Sequence, residues 1–356
     1  MSLASPPKAE QHRRENNPLP RSVERSYKVN KVPIHSSFIP PACLRNPHIQ
    51  TILSSLKIRT LGQKELDLKV RKIIIDTGDG VRLLGFYTGQ KAGSSRGIVL
   101  LLHGWEGSSG STYILKTGGF LYRQGYDIFR LNLRDHGDSH HLNEGLFHSA
   151  LIEETHRAVQ NIADTSRNLP FFIVGFSLGG NFALRMAVRH GQYPIRNLRH
   201  VVAISPLLDP RKATEALDQG CFLYRSYFMK KWKLSLKKKQ LLFPHRYNFN
   251  DIMKCATLME ITDRVLPRYS PYRTSQEYFN TYTLTGRSFG QLSIPVLALT
   301  AADDPMIPVQ DFFDLQGNQK LNIHVERYGG HCGFLQNYRL QAWYEELIDR
   351  TLLDFA

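Results

Sequence analysis

At 356 residues the chain is long for one domain and short for two large ones; 42% hydrophobic and 22% charged residues describe an ordinary soluble globular protein. No run approaches the roughly 18–20 continuous apolar residues of a membrane span, the polar start from Met1 to Asn17 has no signal-peptide core, and the four cysteines include no C-x-x-C pair. A membrane span, a disulfide framework and a zinc site are excluded on these grounds, and reduced thiols in a cytoplasmic protein are expected. The net charge of +15 favours anionic neighbours, but no finger spacing, RNP-type strand or basic-region heptad accompanies it, so no nucleic-acid partner is expected.

Taken in order, residues 1–33 carry Pro6-Pro7, Pro18, Pro20 and many charges, the pattern of a flexible tail. An arm follows over 34–62. The prolines of Phe38-Ile39-Pro40-Pro41 argue for extended backbone, and Asn46-Pro47 opens a short helix with proline in its first turn. His48 in this arm reads as a structural hydrogen-bonder. A run from Leu66 to Asp76 and another from Val81 to Thr88, joined by Thr77-Gly78-Asp79-Gly80, read as a hairpin.

Gly97–Leu102 is a continuous apolar strand ending in His103-Gly104-Trp105-Glu106-Gly107. A helix is expected over Ser111–Gln124, weakened by Gly118-Gly119, then a strand over Asp127–Leu133. Ser149 is expected to cap a helix carrying Leu151, Thr155, Ala158, Val159 and Ile162 on one face. After the strands at Phe171–Phe176 and His200–Ile204, about ninety residues intervene before the next apolar strand, Ile294–Thr300. So long a gap is not a loop; a mainly helical insertion is expected over about 206–275, acting as a lid. A strand over Asn322–Arg327 and a helix bearing Leu340, Tyr344, Leu347 and Ile348 close the chain. Alternating strands and helices over 63–356 predict an α/β fold, a mostly parallel central sheet flanked by helices.

The chemistry centres on Gly175-Phe176-Ser177-Leu178-Gly179, a G-x-S-x-G turn between a buried strand and a helix with Leu178, Phe182 and Met186 on one face. Such a corner exposes a serine hydroxyl above the sheet and aims a helix N-terminus at whatever is bound there. A serine needs a base, and the base an orienting acid, in the order serine, acid, histidine after successive strands. Asp303-Asp304 lies after the strand at Ile294–Thr300, with Asp304 127 positions beyond Ser177; His331, in Gly329-Gly330-His331-Cys332-Gly333, lies 27 beyond that. Asp304 is chosen over Asp303 because it opens D-x-apolar-apolar-Pro. The backbone amides of Leu178 and Trp105 are the candidate oxyanion hole, and His103 reads as a loop brace.

These motifs, with the arm Leu44-Arg45-Asn46-Pro47-His48-Ile49-Gln50-Thr51, resemble the α/β-hydrolase superfamily and, within it, the YheT-like subfamily of predicted esterases. The resemblance runs from about residue 35 to the C-terminus. It implies cofactor-free hydrolysis of carboxylic esters, small-molecule or lipid, through an acyl-serine. Eukaryotic relatives often carry a membrane anchor and act on lipids, a specificity that does not transfer to this sequence. Trp105 stands where the family usually has a smaller residue, which predicts a narrowed acyl pocket. Acyl transfer on the same serine, and a non-catalytic binding protein on this scaffold, are the rival readings.

Two softer signals remain. The loop holding His136, Asp138, His140, His141, Glu144 and His148 has no pair at a recognised metal-ligand spacing, so no metal is assigned to it. Lys230, Lys231, Lys233, Lys237, Lys238 and Lys239 accompany Tyr224, Phe228, Trp232 and Leu236 at four-residue spacing. That basic amphipathic pattern raises the hypothesis of peripheral contact with anionic membranes. Oligomeric state is not legible.

Overall fold

A computed structural model describes residues 32–61, 66, 69–91, 93–166, 168–315 and 318–356. The expected tail falls largely on residues 1–31, outside those described. Lys31–Ala356 forms one compact unit, so the arm is part of the body that holds the sheet.

Among the described residues nine strands form one sheet: β1 (Ile34–His35), β2 (Arg71–Asp76), β3 (Arg82–Thr88), β4 (Ile98–Leu102), β5 (Asp127–Asn132), β6 (Phe171–Phe176), β7 (Leu198–Ile204), β8 (Val296–Ala301) and β9 (Leu321–Glu326). Their order is β1-β9-β8-β7-β6-β4-β5-β3-β2. β3 runs antiparallel to both its neighbours, and every other pair is parallel. The central strands are apolar throughout because helices cover both faces. Along β6, Phe171 and Ile173 join one buried cluster while Phe172, Val174 and Phe176 join another, as alternation across a pleat requires. Each such side chain withdrawn from water contributes about 1.5–3 kcal/mol. This is the α/β-hydrolase architecture.

The flanking helices are α1 (Pro47–Ser55), α2 (Thr112–Arg123), α3 (Ile152–Asp164), α4 (Leu178–Arg189) and α10 (Trp343–Leu353). α1 begins where Asn46 accepts from the amides of His48 and Ile49 at 2.9 and 3.2 Å, with Pro47 at the first helical position. Gly118 of α2 marks a close approach: a Cβ there would stand 3.0 Å from Leu66 Cδ1 and 3.2 Å from Leu101 Cδ1. Between β7 and β8 lie α5 (Pro210–Gln219), α6 (Phe222–Leu242), α7 (Leu258–Tyr269) and α8 (Ser275–Asn280), and α9 (Gln310–Phe313) follows β8. α6 and α7 share a third apolar cluster around Phe249 and Ile252. Among the described residues no helix is long and apolar enough to cross a membrane.

Three expectations need correction. The first hairpin strand begins at Arg71, five residues after Leu66. Ser149 does not cap α3, which starts at Ile152; its amide donates to Tyr278 Oη at 2.8 Å and its carbonyl accepts from Arg185 at the same distance. Leu340 lies before α10, in a left-handed turn at φ 55°. At Ser149 these tertiary partners claim the backbone that local pattern assigned to a cap.

Candidate active site

The sheet brings the predicted residues to one end, because each follows the C-terminal end of a parallel strand. Ser177 sits between β6 and α4 at φ 52° and ψ −117°, a backbone that costs a non-glycine residue about 1–3 kcal/mol. Its neighbours hold it there. The Ser177 amide donates to Ile204 O at 2.9 Å, and its carbonyl accepts from Asn181 and Leu207 at 3.0 and 3.2 Å. The flanking glycines leave no room for a side chain: a Cβ on Gly175 would lie 2.2 Å from Gly179 O, and one on Gly179 2.3 Å from Leu102 O.

Asp304 and His331 meet across the ends of β8 and β9, with Oδ2 2.9 Å from Nδ1. Oδ1 of Asp304 accepts from the amides of Met306 and Ile307 at 2.8 and 3.0 Å, so the carboxylate is fixed on both oxygens. Asp303 faces elsewhere: its Oδ1 accepts from Gly330 N at 2.9 Å, and burial raises its carboxyl to about 6. Burial alone pushes the His331 imidazole down, but the Asp304 carboxylate, with Cys332 beside it, outweighs burial and holds its pKa well above the ordinary value. The arm reaches this loop too. Thr51 Oγ1 accepts from His331 N at 2.9 Å, and Gln50, fully buried, bonds both the amide and the carbonyl of Leu335.

The turn after β4 forms the other wall. Gly104 N donates to Tyr113 Oη at 2.9 Å, Gly107 N to Gly104 O at 3.0 Å, and Lys231 Nζ of α6 to Glu106 O at 2.9 Å. Glu106 is left-handed at φ 54°, and burial raises its carboxyl to about 8 despite the opposing Lys231. A Cβ on Gly104 would stand 3.1 Å from Ser177 Cβ, so this turn lies directly against the serine. Leu178 is the first residue of α4, a position whose N–H has no acceptor within the helix. His103 is fully buried; its Nε2 accepts from Leu133 N at 3.1 Å, which leaves Nδ1–H to donate to Gly104 O at 2.8 Å. Burial pushes its pKa down to about 3, so it braces the loop as a neutral ring.

Ser177, His331, Trp105 and Leu178 line one cavity of about 790 Å³, walled mainly by apolar side chains of α5, α6, α7 and α8. Trp105 stacks on Phe228 with centroids 5.3 Å apart and meets Trp232 edge-on at 5.1 Å. The indole is thus turned into the helices above the sheet. The histidine-rich loop packs beneath α6: Asp135 pairs with Lys239 at 2.7 Å, and His140 Nε2 lies 2.9 Å from Ser235 Oγ. Sequence pattern missed the contacts of Gln50 and Thr51, the buried Lys239, and Asn181, whose amide nitrogen donates to Leu207 O and Tyr282 O at 2.8 and 2.9 Å. Only the arm motif hinted at any of them.

The family model described as serine aminopeptidase, S33, matches residues 93–334. A phospholipase, ABHD3, from Mus musculus is 25% identical over 279 residues, 76% of this chain and 67% of its own length. A putative esterase, YheT, from Escherichia coli strain K12 is 22% identical over 337 residues, spanning 92% of this chain and 96% of its own. A Pyrococcus furiosus esterase has the same fold, with a TM-score of 0.52 at 17% identity over 82% of this chain and 93% of that one. The match over residues 93–334, the nine-stranded sheet and the strand-end residues agree: the chain belongs to the α/β-hydrolase superfamily, as a YheT-like member matching its serine aminopeptidase S33 family.

Proposed function

We propose that the protein hydrolyses carboxylic esters through an acyl-enzyme on Ser177. The observation that carries this is the Asp304–His331 pair at 2.9 Å, opening into the same cavity as a serine held at φ 52°. Ser177 Oγ attacks the ester carbonyl while His331 takes its proton through the ring nitrogen not bonded to Asp304. The amides of Leu178 and Trp105 receive the developing oxyanion. His331 then gives the proton to the departing alkoxide, and water attacks the acyl-serine with His331 again as base. The predominantly apolar cavity of about 790 Å³ suits a medium to long acyl chain. The esterase and phospholipase names of the similar proteins support the ester class. In this reading the insertion over about 206–275, which holds α5, α6 and α7, forms a lid over a domain of residues 63–356, with 34–62 as its arm.

Parallel assays of nitrophenyl esters from acetate to palmitate with wild type and Ser177→Ala test the proposal. Turnover is expected to vanish in the variant, and a fluorophosphonate probe to label the wild type at Ser177 alone. Equal turnover by both proteins, or an unlabelled wild type, overturns it. Added alcohol or thiol acceptors separate hydrolysis from acyl transfer by the product formed.

Contact with anionic membranes is proposed at the outer edge of α6. Lys231, Lys233 and Lys239 are engaged internally, on Glu106 O, on Met253 O and Cys255 O, and on Asp135. Lys230, Lys237 and Lys238 are exposed alongside Phe222, Leu223, Tyr227, Leu234 and Leu241. Sedimentation with anionic liposomes is expected to fall in a Lys230→Glu, Lys237→Glu variant; unchanged sedimentation contradicts the contact.

A further inference from the structure

α1 touches both α6 and the His331 loop through one face. His48 and Thr51, three residues apart, lie on the same side of the helix. His48 Nδ1 is 2.9 Å from the Tyr224 hydroxyl of α6, with the two rings stacked at 5.7 Å. Thr51 stands beside the same phenol. Its hydroxyl donates to Pro47 O at 2.7 Å and accepts from His331 N at 2.9 Å. The contact is built to close tolerance. A Cβ on Gly330 would come within 2.4 Å of Pro47 O and 2.7 Å of Thr51 Oγ1, and one on Gly333 within 2.9 Å of Gln50. Gly330 is itself left-handed, at φ 54°. Gln50 completes the grip by accepting from Leu335 N at 2.6 Å and donating to Leu335 O at 3.2 Å and Leu44 O at 2.7 Å.

We infer that Thr51 is a positioning residue for His331, and that the face of α1 bearing His48 and Thr51 couples the seating of α6, through Tyr224, to the placement of that base. The inference rests on the proposed role of His331. Asp304 fixes one ring nitrogen of His331, yet the backbone that carries the ring is anchored by the arm, through a bond no triad partner supplies. A base loop that loses this anchor lets the imidazole drift from the serine, and misplacement of about 1 Å costs on the order of a hundredfold in rate. Tyr224 ties the same helix to α6, so displacing α6 from the arm withdraws a support from Thr51. The base is then well placed only when α6 is seated.

Steady-state kinetics on a soluble nitrophenyl ester, with fluorophosphonate labelling rates, test this on the full chain. Thr51→Val keeps the shape and removes the hydroxyl; it is expected to lower kcat about tenfold or more, with KM within about twofold, and to slow labelling in parallel. Thr51→Ser restores the hydroxyl and is expected to return kcat to within about threefold of wild type. Tyr224→Phe is expected to lower kcat less, and the Tyr224→Phe, Thr51→Val pair to be no slower than Thr51→Val alone, because the loss passes through Thr51. Wild-type kcat in Thr51→Val, or a Ser variant as slow as the Val variant, overturns the positioning role. Strictly additive losses in the pair overturn the coupling to α6. Should Thr51→Val fail to fold, Thr51→Ser and Tyr224→Phe still decide: a Ser variant with kcat reduced beyond about threefold, or wild-type kcat in Tyr224→Phe, overturns it. Full turnover in His331→Ala overturns the base assignment itself, which is distinguishable from turnover that His331→Ala abolishes and Thr51→Val leaves intact.

Discussion

His331 carries two pH dependences of opposite sense. In the proposed mechanism only its neutral form accepts the serine proton, so kcat/KM is expected to rise with pH through the folded pKa. Asp304 and the neighbouring Cys332 hold that value well above 6.5, so the half-point of the rise is expected on the alkaline side of 6.5. Stability runs the other way. A pKa raised on folding gives a contribution that is complete below the unfolded value of 6.5 and is lost as pH climbs through the folded one. Asp304→Asn removes the charge that holds the proton, so the half-point is expected to move down while kcat drops by about 10³-fold or more. A wild-type half-point below 6.5, or no movement in the variant, contradicts the pairing as the cause. That Ser177, Asp304 and His331 stand at one end of the sheet was legible from order and spacing, because each follows a strand whose apolar run is visible. The choice between Asp303 and Asp304 rested on a motif; geometry puts Asp304 on His331 and gives Asp303 to the Gly330 amide.

At the scale of elements, α6 shows where periodicity stops being informative. Tyr224, Phe228, Trp232 and Leu236 read as one apolar face, and Tyr224 and Leu236 are indeed buried. The lysines read as the solvated face, yet Lys239 is fully buried, with Nζ on Asp135 Oδ1 at 2.7 Å and on Asn143 O at 2.6 Å. Its partner is 104 positions away in sequence, and no helical pattern encodes so distant a contact. Burial lowers the ammonium pKa and raises the carboxyl, and each charge opposes the other's shift. Removing one partner of such a pair leaves the other charge buried alone, which costs about 3–5 kcal/mol. Lys239→Met is therefore expected to lower the free energy of urea unfolding by about that amount, and Asp135→Asn added to it to recover part of the loss. A loss below about 1 kcal/mol would place the pair among weak surface bridges instead. The same limit explains Ser149: a serine before an apolar stripe reads as a cap, but Tyr278 and Arg185 claim its backbone from α8 and α4.

For the whole molecule, the parallel sheet was legible because buried strands are continuous apolar runs, while the arm's place was not, since two short residues of β1 against β9 carry no periodic signal. The many histidines were equally opaque in sequence; among the described residues burial depresses seven of them, His156 and His190 included, into a reservoir of pH-dependent stability. Burial pushes His103 and His140 to about 3 and His136, His148 and His200 to about 4. The unfolded chain protonates each near 6.5 and the folded chain does not, so their contribution is complete above 6.5 and is lost as pH falls toward 4. Buried carboxyls oppose this: Glu106 and Glu345, raised to about 8 and about 7, keep protons in the folded chain that the unfolded chain sheds above 4.5. The total curve therefore mixes two slopes, and a single histidine is best isolated by difference. His103→Gln removes one titrating group from between Gly104 O and Leu133 N. The unfolding free energy of wild type minus that of the variant is expected to shrink by about 1.4 kcal/mol for each pH unit below about 6. A difference that stays constant from pH 7.5 to 4.5 would mean that His103 takes up its proton in the folded chain as readily as in the unfolded one, and that its ring is not held neutral between the two loops.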